Sequence, residues 1–188
     1  ASDAWYKPVV ETGLTEPRWV RAIEIRPSTP NGRRVTHHAL ARLLQEEEDP
    51  DLVEADPDDV GPGLFMEWAV GKQGEITRPD SGKLMLPGSK IVWDIHYHAV
   101  GEEITDSVEL AVYFHPKGYE PNHRQVLHLM HGIEGGSRGL DIPPNTVSVH
   151  QGFFPLKKAG RVENFQPHMH LRGKAMSMEA LLPTGERR

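Results

Sequence analysis

Short apolar runs, each closed by glycine or proline, constrain this chain more than any other feature. Leu64-Phe65-Met66-Glu67-Trp68-Ala69-Val70 is one such run, and Lys90-Ile91-Val92-Trp93-Asp94-Ile95-His96-Tyr97-His98 is the strongest. Both are rich in β-branched and aromatic residues, the residues that fit a pleated, half-buried surface. The punctuation comes from 18 glycines and 16 prolines among 188 residues, well above the usual share of about 12%. An all-β chain of antiparallel strands is expected, with further strands at Arg18–Arg26 and at Glu109–His115, where Leu110, Val112 and Phe114 alternate. Between Arg33 and Ala41 the local signals conflict. His37, His38 and Ala39 can continue a strand, while Leu40, Leu43 and Leu44 have helical spacing and run into Gln45-Glu46-Glu47-Glu48.

A length of 188 residues allows one large or two small domains. A boundary is expected near Gly118, giving domains at 1–118 and 119–188, with a second set of strands beginning at about Gln125. The hydrophobic share, 37%, is low for a compact globule and fits long surface loops or edges cut from a larger protein. The net charge of -6 argues against a nucleic-acid surface. No run approaches the ~20 apolar residues of a membrane span, and no charged-then-apolar signal pattern opens the chain. Nine acids between Glu46 and Asp59, interrupted by Pro50 and Pro57, read as a solvated loop; their irregular spacing fits no ordered calcium loop.

The chain has no cysteine. Disulfides and thiolate metal sites are therefore excluded, and any metal must be held by His, Met, Asp or Glu. Three histidine groups stand out: His37-His38, His96 with His98, and His168 with His170. On a strand His168 and His170 project to the same face and could share an ion, and His96 and His98 share a face with Asp94. Adjacent residues such as His37 and His38 face opposite ways on a regular strand, so one ion could take both only at a strand end, at a bulge, or through different ring nitrogens. Imidazole suits copper, zinc, iron and nickel alike, so the donors alone do not name the metal. Each group also has an ordinary reading as polar surface. That reading is the default for His115, His123, His128, His131 and His150.

Taken together, an early Glu-x-Arg-Pro strand leading to His37-His38, a later strand carrying His96-Tyr97, and the stretch Pro167-His168-Met169-His170-Leu171-Arg172-Gly173-Lys174 resemble the copper type II, ascorbate-dependent monooxygenases. That family includes peptidylglycine α-hydroxylating and dopamine β-monooxygenases, and the likeness is to bacterial-type members. It extends from about Trp19 to Arg188. The resemblance implies two jelly-roll-like antiparallel β-sandwiches, the second incomplete in this chain, and strand rather than helix around His37. It implies one copper on His37, His38 and His96, which stores and passes single electrons. A second copper, on His168, His170 and a methionine, would meet dioxygen and hydroxylate substrate. His98 is expected as a neighbour of the first site, and Asp94, Tyr97 and Arg172 as groups that orient imidazoles.

With the resemblance come ascorbate or another electron donor, a donor protein or domain, a small-molecule or peptide substrate, and a periplasmic or secreted location. The family's methionine ligand lies downstream of the His-x-His pair, in a part of the second sandwich that this chain is not expected to contain. Met169, Met176 and Met178 read as packing residues. Two other functions remain open: a non-catalytic copper-binding or electron-transfer module, and a structural β-sandwich with adventitious metal.

Overall fold

The computed structural model describes residues 2–46, 63–127, 142–169 and 171–188. The chain forms two compact units, Ala1–Phe154 and Pro155–Arg188. The first is an all-β sandwich, with ten strands and one helical turn among the described residues: β1 (Ala4–Tyr6), β2 (Val9–Glu11), β3 (Arg18–Pro27), α1 (Gly32–Val35), β4 (Thr36–Leu44), β5 (Gly63–Ala69), β6 (Glu75–Ile76), β7 (Ser81–Met85), β8 (Lys90–Tyr97), β9 (Val108–Phe114) and β10 (His123–Arg124). One sheet has the order β1-β8-β4-β5, with β2 continuing beside β8. The other has the order β10-β7-β3-β6, with β9 on the free side of β3.

The core lies between the sheets. β8 supplies Ile91, Trp93 and Ile95; β4 supplies Ala39 and Ala41; β5 supplies Phe65, Met66 and Trp68; the facing sheet adds Val20, Ile23, Ile25 and Met85. The period-2 spacing in β8 and β4 sends the intervening residues, among them His38, Asp94 and His96, to the outer face of the sheet. Two departures from that period have local causes. Phe65 and Met66 are both buried because β5 carries an extra residue between the pairs Ala41↔Met66 and Arg42↔Leu64. Val20 and Ile23 are both inward because β3 shifts register against β9 between Val20 and Ala22.

Five of the strands expected from sequence form β3, β4, β5, β8 and β9; residues 128–141, in the region after Gln125 where a second set is expected to begin, lie outside the described residues. The helical spacing of Leu40, Leu43 and Leu44 does not produce a helix: β4 runs through Leu44, held on both sides by β5 and β8. Helix occurs instead at Gly32–Val35, immediately upstream, where strand is expected to begin at Arg33. This turn is anchored by Asp106, whose carboxylate accepts from the Thr29 amide and hydroxyl and from the Thr36 hydroxyl, at 3.3, 3.0 and 2.9 Å. Gly32 packs so closely against that carboxylate that a Cβ would lie 2.0 Å from its Oδ1. The short edge strands β1 and β2 precede the first strand expected from sequence. Past Gly118, β10 still pairs with β7, so the first sandwich takes in residues on both sides of that glycine.

In the unit Pro155–Arg188 the described residues include no buried side chain. A terminal hairpin pairs Ala180 with Arg188 and Leu182 with Glu186. The strand expected around His168 is not formed over residues 164–169, which are exposed and have no pairing partner strand among the described residues; an isolated strand leaves its backbone groups to water. Met169, Met176 and Met178 are likewise exposed rather than packed, because no apolar layer of described residues covers them. Most of the acidic loop, residues 47–59, lies outside the described residues, as do His128 and His131.

Candidate metal centre

His38 lies opposite His96 in the β4–β8 ladder, and Thr36 lies opposite Tyr97. Between these pairs β4 advances two residues and β8 only one, so His37 is the extra residue of a β-bulge. A bulge suspends the alternation that would send His37 and His38 to opposite faces and re-aims the extra side chain. Of the three arrangements that let adjacent histidines share an ion, the sheet adopts this one. Ring centroids of His37, His38 and His96 form a near-equilateral triangle, 5.3, 5.0 and 5.0 Å apart.

One nitrogen from each ring lies within 4.8 Å of the other two, and Nδ1 of His37 is 3.3 Å from Nδ1 of His96. Metal–imidazole bonds of about 2.0–2.1 Å put two nitrogens on one tetrahedral ion about 3.3–3.4 Å apart, so the closest pair already has the spacing of a shared ligand set. His37 is exposed while His38 and His96 are half-buried, which leaves one side of the triangle open to solvent. Burial lowers the pKa of His38, the neighbouring His37 and His96 lower it further, and Glu67 and Asp94 oppose the shift. His38 therefore favours the neutral form that a metal requires. Three imidazoles with no thiolate or carboxylate among them suit copper, zinc, iron or nickel and do not separate them.

The surroundings of His96 come from the N-terminal edge. Trp5 lies opposite His96 in the β1–β8 ladder and stacks on it, with centroids 4.3 Å apart and planes 6° apart. Asp3 places Oδ2 3.0 Å from His96 Nε2 and Oδ1 3.0 Å from His98 Nδ1, and accepts from the Ala99 amide at 3.2 Å. The hydrogen bonds from Ala99 and His96 hold the Asp3 carboxyl below its usual range. Neither Asp3 nor Trp5 is singled out by the sequence. Ala4-Trp5-Tyr6 is β-prone but only three residues long, and its pairing with a strand some ninety positions away leaves no local trace.

The other expected participants are placed differently. Asp94 pairs through Oδ2 with Lys7 Nζ at 2.7 Å rather than with an imidazole. Tyr97 faces inward and lines a 720 Å³ cleft on the opposite face of the sheet, with Tyr6, Trp93 and Ile95. His115 is buried, with Nε2 3.0 Å from the Ser81 carbonyl and its ring stacked on Tyr119. His168 is exposed in the unit Pro155–Arg188, and His170 lies outside the described residues. Among the described residues, His37, His38 and His96 are the one group of three that could hold a metal. No protein-family model, curated protein or solved structure matches the chain.

Proposed function

We propose that this protein is a copper-dependent monooxygenase of the type its histidine order resembles, coupling oxidation of a reductant to dioxygen-dependent hydroxylation of an organic substrate. The observation that carries the reading is the bulge at His37, which lets the adjacent His37 and His38 join the distant His96, the three imidazoles that the resemblance pairs on one copper. His37, His38 and His96 would hold the electron-transferring copper, and His168 and His170 the donors of the second. Bound copper would supply single-electron storage at the first centre and dioxygen chemistry at the second. The chain's own part at the first centre is to present three imidazoles, burial favouring the neutral form of His38, and to leave the His37 side open to a reductant.

The test is copper analysis with oxygen consumption in the presence of ascorbate, on the parent, His38→Ala and His168→Ala. Two coppers per chain and reductant-dependent oxygen uptake are expected in the parent, with uptake lost in both variants. Uptake by His168→Ala as fast as the parent would remove that histidine from the reacting centre. A second reading, a copper-binding electron-transfer module, draws on the assembly of just one three-histidine group among the described residues. One copper per chain, dependent on His38 and indifferent to His168, without oxygen uptake, would select it.

A further inference from the structure

We infer that Asp3 and Trp5 are positioning residues of the histidine centre: they set which nitrogen of His96 faces the metal, and they tie docking of the N-terminal strand β1 to metal occupancy. The inference rests on the metal-centre reading above. An ionised carboxylate only accepts hydrogen bonds. Asp3 Oδ2, 3.0 Å from His96 Nε2, therefore requires the proton of a neutral His96 to sit on Nε2. That leaves the Nδ1 lone pair for the centre of the cluster, and Nδ1 is the atom that meets His37 at 3.3 Å. With the other tautomer an N–H would point into the site and block it.

A carboxylate on the far nitrogen also raises the basicity of a metal-bound imidazole and fixes its ring plane. Trp5 does the second task from the face of the ring, lying flat on it at 4.3 Å. His96 is thus held on three sides, by Trp5 of β1, by His38 of β4 and by Asp3 at its outer end. Trp5 is 57% exposed, so an indole left largely in water is spent on one imidazole rather than on the core.

The same contacts run in the other direction. β1 is a three-residue edge strand with every residue exposed; outside the ladder it meets the ring of His96 and, through Asp3, His98 and the Ala99 amide, while the following Lys7 pairs with Asp94 and the Pro8 carbonyl accepts from the Trp93 amide. Whatever fixes His96 must favour the docked strand, by the reciprocity of linked equilibria. Metal binding is then expected to slow amide exchange at Trp5 and Tyr6.

The experiment uses the full chain with His168→Ala throughout, so that the other histidine pair does not contribute, and measures copper(II) affinity by competition with a chelator. Asp3→Asn keeps the shape and an acceptor oxygen but removes the charge. It is expected to weaken binding about 10–100-fold, with the metal-free melting temperature unchanged. Copper(II) is expected to quench a component of the tryptophan emission that Trp5→Phe lacks, and to protect the β1 amides in the parent but not in Asp3→Asn. Affinity of Asp3→Asn within twofold of the parent, or a loss that tracks lowered metal-free stability, overturns the inference while leaving the centre standing. Equal binding by the parent and His38→Ala overturns the centre itself, and the inference with it.

Discussion

Deleting His37 tests the bulge directly. Thr36 opposite Tyr97 and His38 opposite His96 are separated by two steps on β4 and one on β8, so removing His37 restores a regular ladder in which both pairs keep their partners. Thr36 stays inward, where it is almost fully buried, and His38 stays outward. The metal-free fold is expected to change by less than about 1 kcal/mol, because a bulge interrupts the ladder rather than strengthening it. Metal linkage changes far more. Ligand at 100 times its dissociation constant stabilises a protein by about 2.7 kcal/mol, which in a domain of this size raises the melting temperature by roughly 5–11 °C. Loss of one of three imidazoles is expected to weaken binding at least as much as loss of an orienting partner, about 100-fold. At the same metal concentration the gain then falls to about 0.4 kcal/mol, a shift of roughly 1–2 °C. Thermal melts of the parent, the deletion and His37→Ala, with and without metal, read all of this, and any contribution from His168 and His170 cancels in the comparison. A deletion that keeps the full metal-induced shift would show that His37 is not a ligand. One that loses several kcal/mol without metal would show that His37 is not an extra residue.

Gly32→Ala is expected to cost about 1–3 kcal/mol in urea unfolding, because its Cβ would displace the Asp106 carboxylate from Thr29 and Thr36; a loss under 0.5 kcal/mol would deny the close approach. Lys83→Met removes the buried ammonium that donates to the Phe65 carbonyl at 2.8 Å and should cost about 1–3 kcal/mol by leaving that acceptor unpaired, with an unchanged denaturant midpoint as the refuting result. Burial acts to raise the Glu75 carboxyl, but the Lys72 hydrogen bond and the Lys83 ammonium outweigh it, so its pKa is lowered on folding from 4.5. Its contribution is then fully present above pH 4.5 and is lost as the pH falls through the lowered value. Glu75→Gln should flatten the acid limb of stability below pH 4.5, and an acid limb identical to that of the parent would refute the assignment.

The strands that build the sheet around the centre are legible where residue chemistry and period agree. β8 has buried Ile91, Trp93 and Ile95 alternating with Asp94 and His96, and every position obeys one rule. β4 is legible only in part. Leu40, Leu43 and Leu44 have a helical period, and sheet pairing on both sides overrides it. The bulge is invisible in the same sense: His37-His38 allows it among other geometries, and only the register against Tyr97 and His96 selects it. Asp3 and Trp5 escape for a further reason. Their roles exist only through pairing with β8, and a three-residue edge strand has too few positions to declare a period. The stretch around His168 fails in the opposite direction, since Phe165, Met169 and Leu171 fall on one face of a strand and His168 and His170 on the other, but residues 164–169 form no strand ladder among the described residues.

The position of the centre on the outer face of its sheet bears on how charge is handled there. Inward-facing imidazoles would have to lose water on all sides, and a cation held by neutral donors in an apolar core would be strongly disfavoured. Here the β4–β8 pairing keeps Trp93, Ile95, Ala39 and Ala41 in the core and turns His38 and His96 outward. The three donors bring no charge of their own, so a bound ion keeps its full charge and is balanced only by carboxylates beyond the rings. Asp94 is already paired with Lys7. Asp3 is held ionised by the Ala99 amide and the imidazoles it contacts, and it touches His96 itself. Glu67 and Asp94 also act electrostatically on His38, and the N-terminal edge adds a carboxylate in direct contact with a ring of the ligand set. Replacing Asp3 by Asn should therefore weaken a divalent ion more than a monovalent one of the same element, so copper(II) affinity should fall further than copper(I) affinity and the reduction potential should rise. A potential that fell, or stayed fixed while both affinities dropped equally, would place Asp3's effect in geometry alone.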